Sequence, residues 1–357
     1  MHETGPRGRP QGSGTGKPQP HGGSGDRQER ANHRRGISPR LRRQARRDQR
    51  HRERCRGSPR GGILRDTRTV QSLRQDASLC GPAYRDCPLP GNHRDGRPNP
   101  LVAGRGIKAL KRHGIATKVG VLEEDCRRLN ETFFTYMERG TPFITVKYAQ
   151  TLDGRIAAST GDSRWISSLK SRRFAHRLRS LHDAVLVGSG TALADDPELT
   201  VRLVRGRNPV RVVIDSRLRV PLDAHLFNNI RQARTVAVTS TRSDPSKRER
   251  LQERDVDILT VPEVTPGLLD LREIFAELGR LGLSSVLVEG GAGIITSCLL
   301  AGCVDRLVVI TAPRILGSGI DAVGDLRLTA VEQSLNLRFE KVSRSDGDLI
   351  IDARVKS

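Results

Sequence analysis

Aromatic residues are scarce: eleven in 357 positions, ten of them beyond residue 97, with Tyr84 the exception. A nucleic-acid platform built on stacked aromatics is therefore excluded from the N-terminal quarter. No apolar run reaches 18 residues, and the polar N-terminus lacks the apolar core of a signal peptide. A membrane span is thus not expected, and a cytoplasmic location is. The six cysteines show no paired spacing, which fits a reducing compartment. Cys80, Cys87 and His93 lie near one another, but their spacing is not that of a zinc site.

Positive charge is abundant, and it is unevenly placed. Net charge is +22, and residues 1–97 hold +14 of it, from 23 Lys+Arg against 9 Asp+Glu. Only Lys17 among those 23 is lysine. This Arg-, Gly-, Pro- and Ser-rich segment has almost no apolar periodicity, so disorder is expected. A basic nucleic-acid-binding arm is the competing reading. Without interleaved aromatics, nucleic acid is not the expected partner.

From residue 98 the character changes. Helices are predicted over 106–113 and 123–139, with a strand over 118–121 between them. Leu129, Phe133, Phe134 and Met137 recur at helical spacing and read as core. Alternation predicts a strand over 143–148. Asp153-Gly154 reads as the turn of a hairpin. A basic amphipathic helix follows over 168–181, with Ser168 a candidate N-cap. Apolar runs predict strands over 184–187, 210–214, 235–238, 257–261, 285–289 and 306–311, with a helix over 268–281. Strands alternating with helices imply an α/β fold with a mostly parallel sheet.

One stretch organises the rest: Val286-Leu287-Val288-Glu289-Gly290-Gly291-Ala292-Gly293-Ile294. It reads as a buried strand, a glycine turn and a helix from about Ile294. Glycines let a ligand approach the backbone, and a helix N-terminus offers unpaired N–H groups, which suits a phosphate or pyrophosphate. The pattern is not G-x-G-x-x-G, and a ligand-free structural turn would look similar.

Four blocks carry a family resemblance: Lys147 to Ala157 (KYAQTLDGRIA), Ser163 to Ser167 (SRWIS), Gly190 to Arg202 (GTALADDPELTVR), and Glu289 to Ala292 (EGGA). Over residues 142 to about 355 the chain closely resembles the reductase half of the bacterial bifunctional riboflavin-biosynthesis deaminase–reductase. The resemblance implies a dihydrofolate-reductase-like domain. It implies NADPH-dependent reduction of the ribose of 5-amino-6-(5-phosphoribosylamino)uracil to a ribityl chain, and a homo-oligomer. It places Ala149, Trp165, Thr191, Asp195, Ser216 and the run Gly291, Ala292, Gly293, Ile294, Ile295, Thr296, Ser297 on the cofactor. Ser163, Arg179, Leu199, Arg202 and Glu289 fall on substrate positions. Arg179 and Arg202 could grip the ribose phosphate, and Glu289 could accept hydrogen bonds from the pyrimidine. Asp195 and Lys147 are the candidates for proton transfer. Read without the family, the arginines are surface charge, Trp165 is packing, and Asp195-Asp196-Pro197 is a turn. A related pterin or pyrimidine reductase is the alternative enzyme.

Residues 98–141 resemble the end of the family's deaminase half. Residues 1–97 do not, yet they read as its out-of-frame translation. Codons permitted for Ala45-Arg46-Arg47-Asp48, shifted by one base, encode His-Ala-Glu. The same shift over Arg68 to Cys80 gives Glu-Pro-Cys-Ser-His-Tyr-Gly-Lys-Thr-Pro-Pro-Cys. The same shift around Lys17 to Gln28 permits Asn-Pro-Asn-Pro-Met-Val-Gly-Ala-Val-Ile-Val. Such a peptide would carry the zinc ligands of the deaminase. The chain itself does not carry them, so no metal site and no deaminase activity are expected.

Overall fold

The structure, a computed structural model, describes residues 112–113 and 120–356 except position 229. The expectations for residues 1–97, and most of those for 98–119, lie outside the described residues. Two short helices come first, α1 (Glu123–Leu129) and α2 (Glu131–Arg139), where one continuous helix was expected. Asn130 separates them: its backbone leaves the helical region, and its side-chain amide donates to the Cys126 carbonyl at 2.9 Å. That local bond competes with helix continuation. Leu129, expected in the core, is 85% exposed, whereas Phe134 is buried. Helix α2 is tied down by Arg139 to Asp305 at 2.7 Å and by the Tyr136 hydroxyl to the Gly279 carbonyl at 3.0 Å.

The sheet is built around β1 (Phe143–Thr151). Then follow β2 (Arg155–Ala158), α3 (Leu169–Leu181), β3 (Ala184–Gly188), α4 (Ser189–Asp195), β4 (Val210–Ile214) and β5 (Thr235–Thr239). Next come α5 (Pro245–Glu253), β6 (Asp257–Thr260), β7 (Glu263–Thr265), β8 (Leu268–Leu269), α6 (Leu271–Arg280), β9 (Ser285–Val288) and α7 (Ala292–Leu300). The chain closes with β10 (Arg306–Ala312), β11 (Gly319–Asp321), β12 (Leu337–Ser345) and β13 (Asp348–Val355). The nine-stranded order is β12-β13-β10-β1-β9-β3-β4-β5-β6. The seven strands from β10 to β6 run parallel, β13 pairs antiparallel with β10, and β12 pairs antiparallel with β13. The mostly parallel α/β fold read from the sequence is thus observed.

Parallel strands covered on both faces need apolar side chains throughout, and Val286-Leu287-Val288 supplies them. Alternate residues divide between two cores. Ala184 and Leu186 pack with Val286, Val288 and the helix residues Ile274, Phe275, Leu278 and Ile295. Val185 and Val187 pack on the other side with Val213, Ala237, Leu226, Phe227 and Leu251.

Three further expectations change. The Asp153-Gly154 turn forms, with Gly154 at φ 82°, but β2 pairs with β11 and not with β1. The Asp153 carboxylate instead accepts the backbone N–H groups of Leu316 and Gly317 at 3.1 and 2.7 Å, drawing the turn towards that loop. The helix expected from residue 268 begins at Leu271, because Asp270 caps it by accepting the Arg272 N–H at 2.9 Å. The helix expected from Ile294 begins two residues earlier, at Ala292, with Gly291 as its N-cap. Ser168 caps α3 as expected, accepting the Ser171 N–H at 3.3 Å.

Candidate active site

Parallel order brings the carboxyl ends of β1, β9, β3 and β4 to one sheet edge. The connection after β3 leads outward to β4, while the one after β9 crosses β1 to reach β10. Adjacent strands with diverging connections leave a crevice between them, the usual ligand site of such sheets. Gly188 and α4 flank this crevice on one side. Glu289, Gly290, Gly291 and α7 flank it on the other.

A hydrogen bond joins the two sides: the Gly291 N–H donates to Thr191 Oγ1 at 2.7 Å. Gly290 is required sterically, since a Cβ there would stand 1.8 Å from Cγ2 of Ile294. A Cβ at Gly293 would meet nothing within 4 Å. The N-cap of α7 has no capping side chain, and its first turn holds no acidic residue. The N–H groups of Ala292, Gly293 and Ile294 therefore open onto the crevice with the polarity an anion needs. Ile295 is fully buried and its N–H donates to the Gly291 carbonyl at 3.3 Å, so its side chain belongs to the core. Thr296 Oγ1 donates to the Ala292 carbonyl at 2.6 Å and accepts the Gly324 N–H at 2.8 Å. Ser297 is half-buried on the same helix.

Deeper along the same edge lies a charged cluster. Arg179 on α3 makes a two-pronged pair with Glu289, Nε to Oε1 at 2.8 Å and Nη2 to Oε2 at 2.9 Å. Its remaining nitrogen, Nη1, donates to the Thr200 carbonyl at 3.0 Å. This guanidinium is committed within the protein rather than held free for a phosphate. Burial opposes ionisation of Glu289, but Arg179 and Lys147 beside it hold its carboxyl down at about 2. Burial pushes the Lys147 ammonium below its usual range, against the pull of Glu289 and with the added repulsion of Arg179. An amine whose charged form is disfavoured by burial, beside a fixed carboxylate, is a candidate to give up a proton.

Arg202 borders this cluster from the loop after α4, with its guanidinium on Glu198 at 2.6 Å and half-exposed. It is the better placed of the two arginines to turn towards a ligand. Leu199 has its side chain in the core at 2% exposure, so only its backbone, at φ 53°, faces that loop. Asp195 ends α4, and its carbonyl accepts from Arg164 Nη2 at 2.9 Å. The charges acting on Lys147 are those of Glu289 and Arg179. Ala149 lies on β1 against the core, and half-buried Ser163 lies in the loop before α3. Trp165 is 58% exposed under the guanidinium of Arg172, 4.0 Å from the ring centre. The Ser216 hydroxyl is turned to the Gly267 carbonyl at 2.9 Å.

Two residues escaped the sequence reading. His176 lies one helical turn before Arg179 and is buried, and its Nδ1 accepts the Arg202 N–H at 3.0 Å. Within a basic helix it resembled one more surface cation; the i, i+3 spacing to Arg179 was the available signal. Arg211, 1% exposed on β4, donates to the carbonyls of Asn228 and Ala233 at 3.2 and 2.9 Å and reaches that of Glu198 at 3.5 Å. It braces the loop from below.

The family described as the RibD C-terminal domain matches residues 142–351. The chain belongs to this family. Riboflavin biosynthesis protein RibD of Aquifex aeolicus is 44% identical over 255 residues, covering 71% of this chain and 69% of that protein. The Escherichia coli RibD is 36% identical over 249 residues, 66% of this chain and 65% of that protein. Among solved structures, Acinetobacter baumannii RibD superposes with a TM-score of 0.63 at 28% identity, covering 73% of this chain and 71% of that one. The Thermotoga maritima diaminohydroxyphosphoribosylaminopyrimidine deaminase/5-amino-6-(5-phosphoribosylamino)uracil reductase gives 0.61 at 34% identity, covering 72% and 69%. The RibD resemblance read from the motifs therefore holds, and it places the chain among the reductase domains of riboflavin biosynthesis. Among the described residues, no cluster of three or more His, Cys, Asp or Glu could hold a metal. Among them, too, no helix is long and apolar enough to cross a membrane.

Proposed function

We propose that this chain reduces the ribose of 5-amino-6-(5-phosphoribosylamino)uracil to the ribitylamino product, with NADPH as reductant and without deaminase activity. One juxtaposition carries the reading: an uncapped, acid-free helix N-terminus beside a buried Lys147–Glu289–Arg179 cluster, in one crevice. The first turn of α7 fits a cofactor pyrophosphate, with Thr191, Ala149, Trp165, Asp195 and Ser216 along its path. When bound, the nicotinamide supplies the hydride. The protein's part is to place the opened ribose and furnish the proton. Ring opening leaves a C1′=N imine, and Lys147 is the group that would pass a proton to the imine nitrogen as the C=N double bond gives way to hydride at C1′. Glu289, fixed and ionised by Arg179, faces the pyrimidine N–H groups. Arg202 meets the phosphate, with Ser163 and the Leu199 backbone completing that side.

We also read the protein as a homo-oligomer and its N-terminal 97 residues as dispensable. Edge strand β12 exposes Phe339 and Val342 at 65% and 54%, which supports association between copies. The test of function is direct. The purified chain is expected to oxidise NADPH in step with the deaminated uracil nucleotide. It is expected to release no ammonia from the aminopyrimidine precursor. Ammonia release, or zinc bound at one per chain, would overturn the second half of the proposal; absence of NADPH oxidation would overturn the first.

A further inference from the structure

We infer that His176 is a positioning residue: by accepting the backbone N–H of Arg202 it fixes the loop that presents Arg202 to the substrate. The inference deepens the function proposed above and rests on it for the role of Arg202. The loop carries no regular secondary structure at 200–202, and the backbone of each of these residues is held by one side chain. The Thr200 carbonyl accepts from Arg179 Nη1 at 3.0 Å. The Val201 N–H donates to Asn208 Oδ1 at 2.7 Å. The Arg202 N–H donates to His176 Nδ1 at 3.0 Å. The His176 bond is the last of these clamps, made where the chain becomes exposed at Arg202 and Leu203. Two of the three come from one face of α3, so the helix that orients Glu289 through Arg179 also sets the loop.

An N–H donor opposite Nδ1 requires a lone pair there, so the ring is neutral with its proton on Nε2. Its surroundings enforce that state. Burial, with Arg179 on the same helix, Arg202 on the loop and Lys147 on β1, outweighs Glu289 and brings the ring's pKa down to about 4. The clamp is therefore permanently set at neutral pH. A group that fixes a loop backbone so firmly pre-organises whatever that loop presents.

Alanine and asparagine at position 176 separate the acceptor from mere bulk, because the Asn Oδ1 can stand where Nδ1 stood. In His176→Ala, amide exchange at residues 200–202 is expected to accelerate while the β1 and β9 amides keep their protection. The Michaelis constant for the nucleotide should rise roughly three- to tenfold, the worth of one neutral hydrogen bond. NADPH affinity should not change. His176→Asn should restore both the exchange protection and the Michaelis constant. Equal effects of alanine and asparagine would overturn the inference, as would a matching loss of NADPH affinity, which marks general loosening. Should the wild type fail to turn over the nucleotide, the proposed function falls, and the exchange contrast between the two variants still decides whether His176 holds the loop.

Discussion

Glu289 and His176 have their pKa values moved in the same direction by opposed neighbourhoods. Glu289 is held at about 2 against an ordinary 4.5, with burial overcome by Arg179 and Lys147. A depressed carboxylate stabilises the fold above its unfolded value and loses that contribution as pH falls from 4.5 towards 2. His176 stands at about 4 against an ordinary 6.5, chiefly through burial. There the unfolded chain takes up the proton first, so the contribution is complete above 6.5 and is lost as pH falls towards 4. Acid should therefore weaken the domain in two successive windows. His176→Asn, which cannot titrate, should remove the upper window only. Urea midpoints measured from pH 7 to 4 test this; parallel curves for the two proteins would show that His176 is not depressed. Glu289→Gln should be costly on its own account, since it leaves Arg179 buried without its counter-charge, about 3–5 kcal/mol by analogy with broken buried pairs. Loss in thermal or urea unfolding well below that would mean that water reaches the pair.

The elements divide by how local their causes are. The turn from β9 into α7 was legible because its causes sit within a few residues: a buried apolar run, then glycines. It also allows a sharp test. Gly293→Asp places a negative charge in the first turn of α7, in open space. As a helix-end charge it should stabilise the free protein by about 0.3–1 kcal/mol. As a charge on the pyrophosphate site it should weaken NADPH binding severely. Opposite movement of melting temperature and affinity is the expected outcome; unchanged affinity would move the cofactor elsewhere. Gly290→Ala should instead destabilise, because its Cβ would drive into Ile294. Hairpins were less legible. Two Asp-Gly pairs lie in the domain, and the sequence reading chose Asp153-Gly154. The real two-residue hairpin is Asp346-Gly347, at φ 54° and 91°, joining β12 to β13. An Asp-Gly pair specifies a reversal and not which strand lies opposite. At Asp153 the partner was decided by backbone N–H groups of Leu316 and Gly317, more than 160 residues away. The same limit hid the commitment of Arg179: its partner Glu289 is 110 residues distant, and a lone arginine in a basic helix looks free.

The whole chain joins two compositions, and every residue named for the site lies in one of them. Every residue placed in the crevice lies between Lys147 and Ser297, inside the sheet that begins at Phe143. Residues 1–97 carry +14 of the +22 charge and contribute none of those residues. The remaining +8 still suits an anionic cofactor and an anionic substrate, through Lys147, Arg202 and the α7 terminus. If the basic segment assisted by steering these anions, its removal would lower the association rate, and the loss would fade with added salt. Steering acts over distance and weakens under screening, whereas a crevice that binds anions at short range is less affected. A chain begun at Pro98 is therefore expected to keep kcat/KM for both ligands near neutrality at physiological ionic strength. The comparison should be repeated at low salt, where a difference of severalfold that vanishes on screening would assign the arginines a steering role. A loss of kcat that persists in salt would instead place part of the catalytic domain upstream of residue 98.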